Sequence, residues 1–277
     1  MGKRILSTTI LWCLVFATLW FFRSTGGVVL VGVISVLTLR EFYQLLAGAG
    51  LAPFSRFGMT FGGLITLAPW LQLHTGLPVF SHALPLALIV FSIRILAERE
   101  PQTRVEALAS TVFGLVYVAL TLQYLVRVIT PLPNDVVSEN GRLLLCLWII
   151  AVAKFCDVGA LLTGMAIGRH KMAPQISPKK TWEGAIGGVA ISMGIGALVA
   201  WLGRAHLPLQ MTPLHAALLA APIAVVAIVS DLVESIIKRR AAIKDSGAGI
   251  PGIGGIFDLS DSLLLTAPLG FFLLGLP

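Results

Sequence analysis

The chain has 277 residues, of which 57% are hydrophobic and only 12% are charged. Soluble domains carry roughly 25% charged residues, so this composition excludes an ordinary soluble protein. The net charge of +7 does not indicate nucleic-acid binding, because the basic residues lie in short loops, where they orient membrane helices and meet anionic headgroups or phosphates. We therefore predict an all-α, polytopic integral membrane protein whose aqueous segments are small.

Nine apolar segments are candidates for membrane helices. A bilayer core takes about 20 apolar residues per helix, and in chain order the candidates are residues 5–22, 26–47, 57–73, 83–96, 107–130, 143–167, 184–202, 214–237 and 258–276. The third and fourth are short and contain Pro69 and Pro85. We expect about nine transmembrane helices, or seven if that short pair is re-entrant.

The basic residues of the loops predict the orientation. Lys and Arg accumulate after the second, fourth, sixth and eighth segments, which places the N-terminus in the cytoplasm and the C-terminus outside. Residues 1–130 then form N-terminal transmembrane helices with little chemistry, where Arg40 and Glu41 are expected to be interfacial charges that snorkel or pair. Residues 131–277 form a C-terminal transmembrane catalytic region with basic cytoplasmic loops.

Two charges lie well inside the sixth segment. Lys154 and Asp157 are three residues apart and therefore share one helical face. A mutually neutralising ion pair and a substrate-site pair both fit this spacing, because a charge deep in a membrane segment usually faces a partner or a cavity.

A basic loop follows, over residues 168–184. Pro174 and Pro178 make it stiff, and Ser177 and Thr181 offer hydroxyls near a helix start. A helix N-terminus beside lysines is a ready anion site. The loop is therefore either an ordinary positive-inside loop or a phosphate-binding one, with Lys179 and Lys180 as the basic groups.

The eighth segment carries acids on one face and leads into a glycine-rich turn. Asp231, Glu234 and Lys238 recur at helical spacing, and an acidic face there needs a divalent cation or basic partners. Residues 247–252 match GxGxxG by letter, but no strand precedes them, which excludes a dinucleotide site. Asp258 is expected to cap the last helix, with Asp261 in its first turn. If the ends of the two helices converge, Asp231 and Asp258 can hold Mg²⁺ near a phosphate at the cytoplasmic face.

Two gapped patterns in this half of the chain resemble the phosphatidate cytidylyltransferases (CDP-diacylglycerol synthases). The first consists of Ser235, Lys238-Arg239, Lys244-Asp245, Pro251-Gly252, Gly254-Gly255, Asp258 and Asp261. The second consists of Asp157, Gly168, His170-Lys171, Pro174, Ser177-Pro178-Lys179-Lys180-Thr181 and Glu183-Gly184. The chain departs from the family pattern at Ile253, where a His is usual, and at Leu259, where an Arg is usual.

The resemblance implies an Mg²⁺-dependent phospholipid-biosynthesis enzyme, in which CTP and phosphatidic acid give CDP-diacylglycerol and pyrophosphate. It implies Asp231 and Asp258 as the leading metal ligands. Asp245 and Asp261 follow, as second ligands or as partners that orient Lys244 and Lys238, and the number of bound cations is left open. The implied phosphate-binding and substrate-binding residues are Lys179, Lys180, Lys238, Arg239, Ser177, Thr181, Lys244, Asp157, Gly254 and Gly255.

The sequence is also compatible with other functions. They are a cytidylyltransferase or a CTP-dependent kinase for another lipid phosphate or alcohol, an inactive membrane scaffold, for which Ile253 and Leu259 argue, and a transporter. The few polar residues in the outer halves of the segments count against a transporter. We expect a bacterial inner-membrane protein whose active site faces the cytoplasm, whose partners are membrane lipids and no nucleic acid, and for which a homodimer is allowed but not required.

Overall fold

The computed structural model describes residues 2–96, 103–131, 137–208, 210–243, 246–247 and 254–276, and these are mostly helical, which confirms the all-α class. The α-helices are α1 (Gly2–Gly48), α2 (Ser55–Thr75), α3 (Ala83–Leu96), α4 (Arg104–Gly114), α5 (Thr121–Ile129), α6 (Glu139–Ile167), α7 (Trp182–Leu202), α8 (Pro213–Arg240) and α9 (Ile256–Leu273). A 3-10 helix over Pro78–His82 precedes α3, and a π-helical stretch over Leu115–Leu120 joins α4 to α5.

Each of the nine apolar segments is helical over all but at most its last three residues, and the protein is an integral membrane protein. In the described part of the chain, seven continuous helical stretches are long and apolar enough to cross a membrane. The first two predicted segments both lie in α1, which bends at Arg23, where φ is 46° and ψ is −130°. The count of nine crossings and the cytoplasmic N-terminus stay predictions.

The loop after α6 contains a β-hairpin, which the prediction of a stiff loop missed. Strands β1 (Lys171–Ala173) and β2 (Ser177–Thr181) pair antiparallel, with Lys171 opposite Thr181 and Ala173 opposite Ser177. Pro178 is tolerated in β2 because a proline without an N–H group suits an edge strand. The hairpin runs directly into α7 and therefore fixes where its lysines point.

The chain divides into two compact units. The first comprises Met1–Thr130 and Ile237–Ser260, and the second comprises Pro131–Ile236 and Asp261–Pro277. Phe42 and Phe257 are buried in the core of the first unit, with their rings 5.4 Å apart. The first turn of α9 also contacts α1, because the backbone N–H of Phe257 donates to Glu41.

Glycines set the packing of α6 against α7 in the second unit. A Cβ atom added at Gly188 would lie 2.8 Å from the carbonyl oxygen of Cys156, and one added at Gly184 would lie 2.7 Å from that of Ala160. The two helices therefore approach at backbone distance, as small residues allow between membrane helices.

Candidate active site

Three carboxylates from two helices gather inside the second unit. Asp231 and Glu234 lie one turn apart on α8, Asp261 comes from α9, and one oxygen of each lies within 4.8 Å of the others. Glu234 and Asp261 are buried, and Asp231 is half-buried. The Ser230 hydroxyl donates to the backbone carbonyl of Asp261 at 2.5 Å and so joins α8 to α9 beside the carboxylates. Acids this close repel one another unless cations compensate them.

Two lysines from different elements neutralise part of this charge. Lys180 of β2 forms an ion pair with Oδ2 of Asp231, and its ammonium also lies 3.5 Å from the carbonyl oxygen of Ile228. Lys154 of α6 places its Nζ 3.4 Å from Oδ1 of Asp261. Each lysine thus holds one acid of the group from outside the helix that carries it.

A fourth acid completes what we call the acidic cluster. Asp157 lies one turn after Lys154 on α6 and interacts electrostatically with both lysines and with two of the acids. The members of the acidic cluster are Lys154, Asp157, Lys180, Asp231, Glu234 and Asp261. Hard cations such as Mg²⁺ take carboxylate oxygens. The donor set of Asp231, Glu234 and Asp261 therefore fits such an ion.

The hairpin separates the two predicted phosphate-binding lysines. Successive strand residues point to opposite faces, and in β2 Lys180 turns to the acidic cluster whereas Lys179 is exposed. Ser177 is half-buried at the start of the strand. Thr181 is buried at its end, and its hydroxyl accepts the backbone N–H of Gly184 at 3.2 Å, so it caps α7. The prediction of a hydroxyl at a helix start is confirmed for Thr181.

Glu183, which follows β2, contacts the residues that precede β1. Its carboxylate accepts the backbone N–H groups of Arg169 at 3.1 Å and His170 at 3.2 Å, and it lies 2.5 Å from Nδ1 of the His170 ring. The N–H of Trp182 donates to the carbonyl of His170 at 2.9 Å. The entry and exit of the hairpin are therefore tied together, which fixes the position from which Lys180 reaches α8.

Asp258 organises a second group of contacts, within the first unit. Its Oδ1 accepts the Lys238 ammonium at 3.1 Å, and its Oδ2 accepts the backbone N–H groups of Gly255 at 2.9 Å and Ser246 at 3.2 Å. Gly254 adopts a φ of 124°, and a Cβ atom there would lie 2.6 Å from Oδ2 of Asp258. Glycine is therefore required both by the backbone conformation and by the approach of the carboxylate. We call the described residues of this segment, 246–247 and 254–258, the signature turn.

The prediction that Asp258 is the N-cap of the last helix is wrong. The helix begins at Ile256, and Asp258 is its third residue. Its carboxylate reaches back to the N–H of Gly255, as the third residue of a capping box does. Arg239 is exposed at the end of α8. Lys244, Asp245 and Ile253 lie outside the described residues.

The pairing of Asp231 with Asp258 as metal ligands stays a prediction. The structure groups Asp231 with Glu234 and Asp261, of which Glu234 was not among the predicted site residues. The signal for Glu234 was present, because it shares a helical face with Asp231. Lys154 was also not among the predicted site residues, because an ion pair with Asp157 on the same helix explained its presence equally well.

The fold and these charged groups define an integral membrane protein with an ionised site among its helices and a basic hairpin beside it. A model of the cytidylyltransferase family matches residues 2–276, and the chain belongs to that family. The resemblance seen in the two gapped patterns is thereby confirmed, and it extends through the first half of the chain.

Several proteins named phosphatidate cytidylyltransferase are similar to this chain. The protein from Synechocystis sp. is 31% identical over 295 residues, which covers 98% of this chain and 95% of the relative. The one from Rickettsia bellii is 38% identical over 136 residues, covering 47% of this chain and 58% of the relative. The one from Brucella suis is 42% identical over 122 residues, covering 44% and 43%.

Proposed function

We propose that this protein is a CTP:phosphatidate cytidylyltransferase, which forms CDP-diacylglycerol for phospholipid biosynthesis. The observation that carries the proposal is the similarity to the Synechocystis phosphatidate cytidylyltransferase over 98% of the chain, within a family match over residues 2–276. A phosphate oxygen of phosphatidic acid attacks the α-phosphorus of CTP. A new P–O bond forms, the α–β phosphoanhydride bond breaks, and pyrophosphate leaves with the bonding electrons.

The residues of the acidic cluster suit this chemistry. The nucleophile is already an anion, so the reaction needs no strong general base, and its barrier comes mainly from charge repulsion and positioning. Lys154 and Lys180 supply positive charge inside the second unit. Lys179 is exposed on the hairpin, where it can meet a lipid phosphate or the triphosphate. Ser177 and the backbone at Gly254 and Gly255 are proposed as further substrate contacts.

We further propose that the reaction depends on Mg²⁺. Asp231, Glu234 and Asp261 are the candidate ligands that the geometry brings together, and Asp258 is the candidate from the family signature. When bound, the ion would neutralise phosphate charge at the reacting centre. Lys238 and the exposed Arg239, at the end of α8, are proposed to hold the phosphates of the substrates.

The membrane location and the oligomeric state of the protein are further proposals. The excess of Lys and Arg in alternate loops favours an active site that faces the cytoplasm, and we propose the bacterial inner membrane as the location. Cysteine accessibility to an impermeant reagent, with single cysteines placed at Lys179 and at Leu202, tests that orientation. A homodimer stays a prediction, which the mass of the purified protein–detergent particle tests.

The function is tested with the purified full-length protein in detergent, given CTP, phosphatidic acid and Mg²⁺. We expect pyrophosphate release that requires both substrates and stops when the divalent cation is chelated. Asp231→Asn should abolish it, whereas Glu106→Gln, which alters an exposed acid on α4, should not. Lipid alcohols and other lipid phosphates are tested as acceptors in parallel, and CDP release is measured as well as pyrophosphate release.

The possible outcomes separate the alternatives. CDP release with a lipid alcohol would identify a CTP-dependent kinase, and pyrophosphate release with another lipid phosphate only would change the acceptor. If neither pyrophosphate nor CDP were released with any acceptor, an inactive scaffold would be favoured. Ile253 and Leu259, where the chain departs from the family pattern, would then be the first residues to test.

A further inference from the structure

Glu41 of the first unit makes two contacts that the sequence did not predict. It lies near the end of α1, and its side chain is buried. Its Oε2 accepts the backbone N–H of Phe257 at 2.9 Å and lies 3.0 Å from the hydroxyl of Ser246. Both contacts are long-range, with sequence separations of 216 and 205 residues. A carboxylate buried among apolar helices is costly, so these contacts need an explanation.

The backbone of the signature turn closes tightly around this carboxylate. A Cβ atom at Gly247 would lie 2.9 Å from Oε1 of Glu41, and one at Gly255 would collide with Oε2 of Glu41 and with the Ser246 hydroxyl. The glycines on both sides of the turn therefore leave the space that Glu41 fills. No other residue type could occupy these two positions without displacing the carboxylate.

Glu41 supplies a hydrogen-bond acceptor for the first N–H groups of α9. The first N–H groups of a helix have no partner inside the helix, and the residue before α9 is Gly255, which has no side chain to cap them. Glu41 accepts the N–H of Phe257, as an N-cap side chain would. Its negative charge is also favourable at the positive end of the helix dipole.

Ser246 connects Glu41 to the group around Asp258. Its hydroxyl contacts Glu41, and its backbone N–H donates to Asp258 at 3.2 Å. Asp258 in turn holds the Lys238 ammonium at 3.1 Å. A continuous chain of contacts therefore runs from Glu41 through Ser246 and Asp258 to Lys238.

We infer that Glu41 is a positioning residue for the reaction. It holds the signature turn and the first turn of α9, and so fixes the carboxylate of Asp258 and the ammonium of Lys238 where the substrates need them. The inference rests on the proposed function in that it takes Asp258 and Lys238 to act in catalysis. Glu41 itself contacts the protein backbone and Ser246 and is not proposed to touch a substrate.

A purely structural role must be distinguished from positioning, and α1 offers a matched control. Thr38 lies one turn before Glu41 on the same helix, and its Oγ1 lies 2.9 Å from the hydroxyl of Ser260 in α9. Both hydroxyls are buried. Thr38→Val therefore removes a buried contact between the same two helices without altering the signature turn.

The experiment compares Glu41→Gln, Ser246→Ala and Thr38→Val in the full-length protein. For each we would measure kcat, the KM for CTP and for phosphatidic acid, the unfolding temperature in detergent, and the hydrogen exchange of the amides in residues 246–258. Glutamine has nearly the shape of glutamate but carries no charge, so Glu41→Gln perturbs packing least. Ser246→Ala keeps the backbone contact to Asp258 and tests the link if Glu41→Gln does not fold.

We expect Glu41→Gln to lower kcat on the order of ten- to a hundred-fold, as small misplacements of reacting groups do, with each KM changed less than about two-fold. Exchange in residues 246–258 should accelerate. Thr38→Val should lower the unfolding temperature comparably and leave kcat within about two-fold and that exchange unchanged. Ser246→Ala should lower kcat, and in the double variant with Glu41→Gln the two losses should not multiply.

Equal losses of kcat in Glu41→Gln and Thr38→Val at equal unfolding temperatures would overturn the inference in favour of a structural role. Unchanged exchange in residues 246–258 of both Glu41→Gln and Ser246→Ala would also overturn it. If the wild-type protein formed no CDP-diacylglycerol, the proposed function would fail, whereas the exchange measurements would still decide whether Glu41 holds the turn.

Discussion

Lys180 of the hairpin forms an ion pair with Asp231 of α8, 51 positions later in the chain, while its neighbour Lys179 points to solvent. The two lysines are identical in charge and adjacent in sequence, so they form a matched pair for mutation. Their difference lies only in which face of β2 carries them. An exposed lysine is solvated and screened, whereas a half-buried one acts at short range.

The first prediction concerns this pair. Lys180→Met should lower kcat on the order of a hundred-fold, because Asp231 loses its partner and the substrates lose a fixed positive charge. Lys179→Met should mainly raise KM, by about ten-fold or less, and its effect should shrink at high salt. Steady-state kinetics at two ionic strengths measures both. Equal effects of the two variants would contradict the assignment of Lys180 to the reacting site.

The second prediction concerns Glu234, the acid that was not among the predicted site residues. Glu234→Gln should raise the Mg²⁺ concentration needed for half-maximal activity by about ten-fold or more, because the acidic cluster loses one carboxylate ligand and one negative charge. Titration of activity against Mg²⁺ tests this, with Glu106→Gln as the exposed control. An unchanged Mg²⁺ requirement would remove Glu234 from the candidate ligands.

The third prediction uses two glycines that both adopt positive φ. Gly254 has a φ of 124° and faces Asp258, whereas Gly76 has a φ of 69° and no heavy atom within 4 Å of an added Cβ. Gly76→Ala should cost about 1 kcal/mol of stability through backbone strain alone. Gly254→Ala should also displace the Asp258 carboxylate and abolish activity. Unfolding temperature and kcat, measured on both variants, separate strain from the loss of the Asp258 geometry.

The fourth prediction concerns the cap of α7. Thr181→Ala should destabilise the start of this helix by about 1 kcal/mol, because the N–H of Gly184 loses its acceptor. Thr181→Ser keeps the hydroxyl and should retain most of the stability. The measurement is the unfolding temperature in detergent. A Thr181→Ser variant as unstable as Thr181→Ala would show that the methyl group matters more than the cap.

Much of the architecture was predictable from residue order alone. Runs of about 20 apolar residues must satisfy their backbone groups internally in a membrane, and a helix does so within one segment. All nine predicted segments are therefore helical over almost their whole length. Helical periodicity also placed Asp231 and Glu234 on one face of α8. The spacing of the signature residues was enough to indicate the family, which the match over residues 2–276 confirms.

The β-hairpin and the start of α9 were less predictable, because they depend on short segments. Three and five residues form the strands β1 and β2, too few for a periodic pattern to stand out from a polar loop. Asp258 looked like a cap because an acid before an apolar run usually is one. The N-cap position is instead Gly255, three residues earlier, and Asp258 caps the helix from inside.

The sequence by itself determined the membrane-embedded class, the helical segments and the residue types of the site, because these depend on composition and on local spacing. Only the tertiary structure decided which charges meet. Lys154 pairs with Asp261 rather than solely with its helical neighbour Asp157, and Glu41 from α1 holds a turn more than 200 positions away. Such partners are chosen by the packing of separate helices, since a buried charge must find its compensation wherever the fold brings one within reach.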